Sequence, residues 1–431
     1  MSASISDTQS NGRRSYLSPT SGTSQLGLLL PDVAVQDGVF AGLIVFTRIP
    51  ANWGMPGAAA CLLLTALYAL IRPSQTGQAV VRSWVQFAFP VFALLSVTWA
   101  VYPVVSLRAA VQMTLTAFAG LLLAQAPRPR AVLTGLFVAH AVYTVASLLA
   151  GQTRPDGIAG FPALYGLGGE AKNYFADTSG TATLLAMGMF AVSLERRRLI
   201  WSALTAITAI LCALATVRAH SAGAVASLAL AAALMAAMLV LRGRSVTAKL
   251  IFAACLMCAL LLCGLLFEPL MAIVQNLSAK DAGLTGRGYL WYRADFIIAQ
   301  RPWLGMGYFS FWTPANPDAI GLWRYFDIRQ EGTAFSFHNS YIQTLVETGR
   351  IGLGVMLACW LIGLVALLRR FVMTPSLATC FWVGYLALQL SKTPVEPIRP
   401  AALVAPTIMI FAALGFGNFP VYLRRQAREH S

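Results

Sequence analysis

Twelve apolar stretches set the limits on what this chain can fold into. They lie near residues 33–49, 54–71, 84–100, 107–126, 131–150, 178–194, 199–217, 220–241, 250–267, 351–368, 376–391 and 401–418. Most approach the roughly 20 residues that a helix needs to cross a bilayer. With 58% apolar and only 11% charged residues and a mean hydropathy of +0.68, the composition excludes a soluble domain. The expected fold class is all-α: a polytopic membrane protein of about 12 transmembrane helices with one large outer loop that contains amphipathic helices. The first stretch carries Asp37, with Asp32 beside it, and the pair across 199–241 can be cut in more than one way. The count therefore holds to within about two spans.

Arginine placement gives the orientation. With the N-terminus inside, the inner connections and tails collect 17 of the 31 basic residues, among them Arg72, Arg82, Arg128, Arg130, Arg196, Arg197, Arg198, Arg242 and Arg244. The short outer connections hold seven: Arg48, Arg108, Arg154, Lys172, Arg218, Lys392 and Arg399. The other seven lie in the long loop, which the charge rule hardly constrains. Both termini are thus expected in the cytoplasm. The net charge of +15 follows mostly from topology, and no nucleic-acid partner is needed to explain it. The expected organisation is a disordered cytoplasmic tail at 1–25, transmembrane helices over 26–267, the large periplasmic loop at 268–350, further transmembrane helices over 351–420, and a basic cytoplasmic tail at 421–431. All seven cysteines fall in apolar stretches. Cys255 and Cys258 have metal-like spacing without partner ligands, so neither a disulfide nor a metal site is expected, and no cofactor.

The long loop is the segment with enough polar material to build a site. At its end, Ser340 with Gln343 reads as a capping box that opens a short helix, and Gly349 as that helix's stop. His338 then stands just ahead of a helix N-terminus, an end that attracts anions. Near the start of the loop, Leu290, Ala294, Ile297 and Ile298 recur at helical spacing up to Pro302, which reads as an interfacial amphipathic helix. Arg287, one turn before Trp291, lies on that helix at headgroup depth, where a guanidinium fork suits a diphosphate. The competing reading of Arg287 is an arginine that anchors the helix to headgroups, and of His338 a loop histidine without chemistry. Arg218 and His220, Arg108, and Lys172-Asn173 sit at other outer helix ends, where each also reads as a helix-end cation or polar cap. Trp303, Phe309, Trp312, Trp323 and Tyr325 suit either sugar stacking or an interfacial aromatic belt.

The spacing of His338-Asn339, nine residues, Gly349, two residues and Gly352 resembles the signature of bacterial O-antigen ligases. Thr285-Gly286-Arg287 with Leu290-Trp291 and Arg301-Pro302-Trp303-Leu304-Gly305-Met306-Gly307-Tyr308 look like the loop of exopolysaccharide production proteins of the ExoQ type. Ser96 to Trp99 with Pro103 and Ser106 to Arg108 resembles a second recurrent stretch of that group, and Lys172-Asn173 a third. The likeness covers roughly residues 80 to 370 and points to the superfamily that unites O-antigen ligases with Wzy-type polysaccharide polymerases.

That resemblance implies transfer of a glycan from undecaprenyl diphosphate to an acceptor sugar hydroxyl, on a lipid carrier or on lipid A core, at the outer face of the inner membrane and without a metal. It implies a loop histidine as base, carried over to His338, and two arginines on the diphosphate. Arg287 stands at the right place for one of them. The family has Ser-Arg where this chain has Ser221-Ala222, which leaves Arg218 as the nearest arginine for the second. Asn339, Lys172 and Arg108 are expected in support, and a chain-length regulator protein as a further partner. The chemistry is coherent: a neutral imidazole can take the acceptor proton while fixed cations meet charge developing on the leaving diphosphate. Three functions compete at this point. They are a polymerase, a ligase with a lipid A core acceptor, and a polysaccharide transporter or flippase, which would place ionisable groups inside its spans.

Overall fold

The computed structural model describes residues 32–156, 160–266, 286–328, 335–398 and 401–419. The tails at 1–25 and 421–431, Thr285 and Arg399 lie outside the described residues. The described residues form fifteen α-helices and a two-stranded hairpin. In chain order the helices are α1 (Val33–Phe46), α2 (Gly54–Ile71), α3 (Pro73–Arg82), α4 (Ala88–Leu95), α5 (Pro103–Ala124), α6 (Pro129–Ala150), α7 (Lys172–Glu195), α8 (Leu199–Arg218), α9 (Ala222–Leu241) and α10 (Val246–Leu265). They continue with α11 (Arg287–Gln300), α12 (Pro317–Tyr325), α13 (Ser340–Met373), α14 (Leu377–Leu390) and α15 (Ala405–Phe416).

Each of the twelve apolar stretches falls on helix, as lipid demands of a backbone that must satisfy its own hydrogen bonds. Fewer than twelve are long enough to span. Among the described residues seven qualify by length and composition (α2, α5, α6, α8, α9, α10 and α13), and an eighth if α3 and the following Trp84–Thr98 stretch, bent by 77°, count as one. Helices α1, α14 and α15 have 14, 14 and 12 residues, or about 18 to 21 Å at 1.5 Å per residue. That is short of the roughly 30 Å hydrocarbon core. Almost every residue of α14 and α15 is buried, and irregular backbone at membrane depth is tolerated where protein covers it.

One apolar core runs through the helical array, where α1 packs along α6, α7 along α8, α5 along α15 and α9 along α14. Asp37, the charge that interrupts the first stretch, is wholly buried within it. Its carboxylate pairs with Arg72 Nη1 at 3.0 Å and accepts hydrogen bonds from Tyr68 Oη at 2.9 Å and the Arg128 amide at 2.8 Å. An isolated carboxylate there would be prohibitive, but this one is saturated. The hairpin pairs Thr153–Asp156 with Phe161–Leu164, antiparallel, in the α6–α7 connection. It departs from the all-α expectation, because four-residue strands carrying Pro155 and Pro162 leave no alternating pattern to read.

Candidate functional site

Helix α13 carries the signature residues. Its N-cap is Asn339, whose Oδ1 accepts from the amides of Tyr341 at 2.9 Å and Ile342 at 3.1 Å. This corrects the capping box. Ser340 Oγ instead donates to the Glu396 carbonyl at 2.8 Å. The Gln343 side chain turns inward, donating to Glu347 and accepting from Trp312 Nε1. The cap still leaves His338 just before the helix, with a left-handed backbone at φ 49°.

Gly349 breaks the helix as expected, at φ 65° and ψ −169°, and the chain resumes helix beyond it. A side chain there would strike the Trp303 backbone at 2.3 Å, and the conformation itself favours glycine. The break frees main-chain groups that bind the Arg301–Tyr308 segment. Met306 and Gly307 amides donate to the carbonyls of Val346 and Glu347 at 3.0 and 2.8 Å, and the Arg350 amide donates to Pro302 at 2.9 Å. The Ser96–Tyr102 stretch holds the same segment from the other side. Trp99 Nε1 donates to the Leu304 carbonyl at 3.0 Å, the Val101 amide to Met306 at 2.9 Å, and the Tyr308 amide to Ser96 Oγ at 3.0 Å. Three motifs distant in sequence thus form one support.

Of the stripe read from the sequence, helix α11 buries Leu290, Ala294 and Ile297, with Ile298 partly buried beside them. They pack against Phe311, Ala319, Leu322, Trp323 and Phe337 in a second, smaller core. That apolar stripe is therefore covered by protein. Trp291 Nε1 donates to the Phe337 carbonyl at 2.8 Å. That bond ties the helix bearing Arg287 to the residue preceding His338.

The two residues meet at Glu396, in the turn after α14. Arg287 Nη2 lies 3.2 Å from Glu396 Oε1, and His338 Nδ1 lies 3.8 Å from Oε2. Asn173 Nδ2 donates to Oε1 at 3.2 Å. The three side chains are half-buried: Arg287 20%, Glu396 21% and His338 31% exposed. His338 Nδ1 is itself buried and without a hydrogen bond. With the side chain 31% exposed and Nδ1 buried, Nε2 is the ring nitrogen left to meet a substrate. Beneath this group Lys392 Nζ pairs with Asp177, and Gln389 Nε2 reaches both Asp177 oxygens at 2.9 and 3.1 Å. Lys392 is one helical turn before Glu396, and Asp177 one turn after Asn173. The buried tie between α7 and α14 therefore sets the register of the contact above it.

The other expected residues divide. Asn339 serves as the helix cap. Lys172 opens α7 beside Asn173 and is half-buried. Arg218 ends α8, fixed level with the early turns of α7 by the Thr216–Ser179 hydroxyl contact of 2.9 Å. Arg218 and Arg108 are both exposed. Among the described residues, neither joins Arg287, His338 or Glu396 by an ion pair or hydrogen bond. Trp323 is fully buried, whereas Trp303 and Tyr325 are well exposed, with Tyr325 stacked on Tyr289 at 4.1 Å. Glu170, in the α6–α7 connection, is buried, and desolvation pushes its carboxyl up to about 8.

Sequence reasoning missed Glu396, which collects every contact. The outer helix ends present cations and polar caps to a reading of the sequence, and no clustered carboxylates. The available signal was scarcity: among just 16 acids in the chain, Glu396 stands in a short turn between Pro394 and Pro397, four residues from Lys392.

Residues 207–357 match a family model described as O-Antigen ligase. The exopolysaccharide production protein ExoQ of Rhizobium meliloti (strain 1021) is 25% identical over 353 residues, 80% of this chain and 78% of that protein. The family match takes in Arg218, Arg287 and His338 and stops short of Lys392 and Glu396.

Proposed function

We propose that the chain is a member of the superfamily of O-antigen ligases and Wzy-type polysaccharide polymerases, which the two likenesses support, and that it transfers a glycan from undecaprenyl diphosphate to a sugar hydroxyl. The reaction takes place at the periplasmic face of the bacterial inner membrane, with both termini in the cytoplasm, and the protein is a polymerase of exopolysaccharide or O-antigen. The observation that carries this reading is the meeting of His338 and Arg287 on one half-buried carboxylate at the loop end of the helical array. A base and a guanidinium fork held that close suit a reaction in which a proton leaves one oxygen as charge builds on another.

In the proposed step the acceptor hydroxyl attacks the anomeric carbon, and its proton passes to His338 Nε2, the open nitrogen. The carbon–oxygen bond to the diphosphate breaks, with the electron pair going to the diphosphate oxygen, so the anomeric configuration inverts. Arg287 meets the charge that develops there. Arg218 closes on the diphosphate from the end of α8, and Lys172 and Arg108 add positive potential at the rim. His338 and Glu396 are not joined by a third histidine, cysteine or carboxylate among the described residues, and the proposed chemistry is metal-independent.

A ligase that passes the glycan to lipid A core is the second reading, favoured by the family model's own description. One gel decides between them. Extracts of a deletion strain complemented with the wild-type chain should regain long polymer, with lipid-linked single repeats accumulating in its absence. Restored attachment to core with polymer length unchanged would establish the ligase instead. Restoration of neither, with lipid-linked glycan trapped on the cytoplasmic side, would point to transport.

A further inference from the structure

Glu396 poses a difficulty for a diphosphate clamp, since it already neutralises Arg287. Its second oxygen faces His338 Nδ1 at 3.8 Å, too far for a hydrogen bond, while that nitrogen is buried and unsatisfied. One carboxylate thus holds one partner and stops short of the other. Resting on the function proposed above, we propose that Glu396 is a donor-responsive positioning residue. With the site empty it occupies Arg287. When a lipid diphosphate takes that guanidinium, the carboxylate moves to His338 Nδ1–H, which fixes the tautomer with Nε2 free to accept the proton and supports the imidazolium that forms.

The geometry makes the handover short. Closing 3.8 Å to hydrogen-bond distance needs a shift of about 1 Å. Asn173 stays on Oε1 from below at 3.2 Å, and the Glu396 backbone is pinned by Ser340 Oγ and by its own amide bond to the Lys392 carbonyl, both 2.8 Å. The side chain can swing while the main chain cannot. Among the described residues, the charged groups around the imidazole are Glu396 itself, Arg287 across it, and the buried Lys392–Asp177 pair beneath. The base is then oriented only when a donor is present, which suppresses idle proton transfer in an empty site.

The test uses the full-length protein in lipid nanodiscs, with undecaprenyl diphosphate as the binding probe and lipid-linked repeat units extracted from a deletion strain as substrate. Glu396→Ala should bind undecaprenyl diphosphate more tightly, by up to about fivefold, the worth of a half-exposed ion pair. It should lower kcat by roughly tenfold or more, less than the roughly 10⁴-fold cost of altering a buried carboxylate bonded directly to a catalytic histidine. In an Arg287→Ala background the gain in binding should vanish. Glu396→Gln keeps the volume and an acceptor oxygen; it should share the tighter binding and recover part of kcat, and it serves alone if the alanine variant does not reach the membrane. A merely structural residue would instead weaken binding and lower abundance, and that result, or an unchanged kcat, overturns the inference. Full product from His338→Ala would overturn the function itself, whereas dead His338→Ala and Arg287→Ala variants beside a Glu396→Ala variant of wild-type behaviour would remove only Glu396's role.

Discussion

Two acid–arginine pairs mark opposite ends of the helical array, and they differ in how completely each is satisfied. Asp37 has no exposure, and both its oxygens are bonded, to Arg72, Tyr68 and the Arg128 amide. Arg72 in turn gives its other hydrogens to Gln36, Gln75 and the Val33 carbonyl. Nothing is left over for a ligand, so the cluster joins α1, α2 and the start of α6 and does no more. At the other end Glu396 and Arg287 are each about one-fifth exposed, and an imidazole nitrogen lies beside them without a bond. Saturation makes architecture, and an unmet hydrogen-bonding demand leaves room for chemistry.

The sharpest way to break that contrast is to remove one residue from each end. His338→Ala should reduce polymer or ligated product by about 10²- to 10⁴-fold, the usual share of a general base, at unchanged abundance in membranes. Normal product would end the histidine's role. Asp37→Ala should strand Arg72 as a buried charge at a cost of about 3 to 5 kcal/mol. The expected readout is loss of the protein from membranes, and an abundant, active variant would show that the cluster is dispensable. Between these extremes, Arg287→Ala should weaken binding of a lipid diphosphate and Arg287→Lys should restore it in part, since lysine keeps the charge and loses the fork. Equal binding by the lysine variant and the wild type would reduce Arg287 to a point charge.

A smaller effect is expected from Glu170. Its folded carboxyl, raised to about 8 by burial, holds a proton that the unfolded chain releases near 4.5, so the folded state binds the proton more tightly. The resulting stability is whole below about 4.5 and is lost as pH rises through about 8. Melting temperatures of detergent-solubilised protein should decline over that window, and Glu170→Gln should flatten the decline; parallel slopes would refute the assignment. The smallest expected effect is none at all: transfer should survive chelators, and activity lost to EDTA and restored by magnesium would contradict the proposed chemistry.

The parts of this molecule that were legible in the sequence are those written in periodicity or contiguous motif. Apolar runs mark helices because lipid admits little else, and Leu290, Ala294 and Ile297 mark a buried face because 3.6-residue spacing permits one. Residue patterns singled out His338, Arg287 and Asn173, which the fold brings to one carboxylate. What could not be read depends on which groups meet across the fold. Gln343 resembles a capping residue until Trp312 and Phe337 claim its side chain. Glu396 lies far in sequence from Arg287, and only the packing of α7 against α14 brings Asn173 to the same oxygen. The short α14 and α15 look like spans in hydropathy because a buried helix and a lipid-facing one are equally apolar.

The signature spacing in α13 acts as a ruler. Between the Asn339 cap and the Gly349 break lie nine helical residues, 340–348, a length of about 14 Å at 1.5 Å each that separates the His338 end from the break. The break is anchored to the Arg301–Tyr308 segment, so this length is measured from a fixed point. One inserted residue would lift His338 by about 1.5 Å and turn it by about 100°, carrying the imidazole off Glu396 while every amino acid of the site remained present. What places the imidazole is thus a length along a helix axis, and substitutions within 340–348 that keep the helix leave that length unchanged.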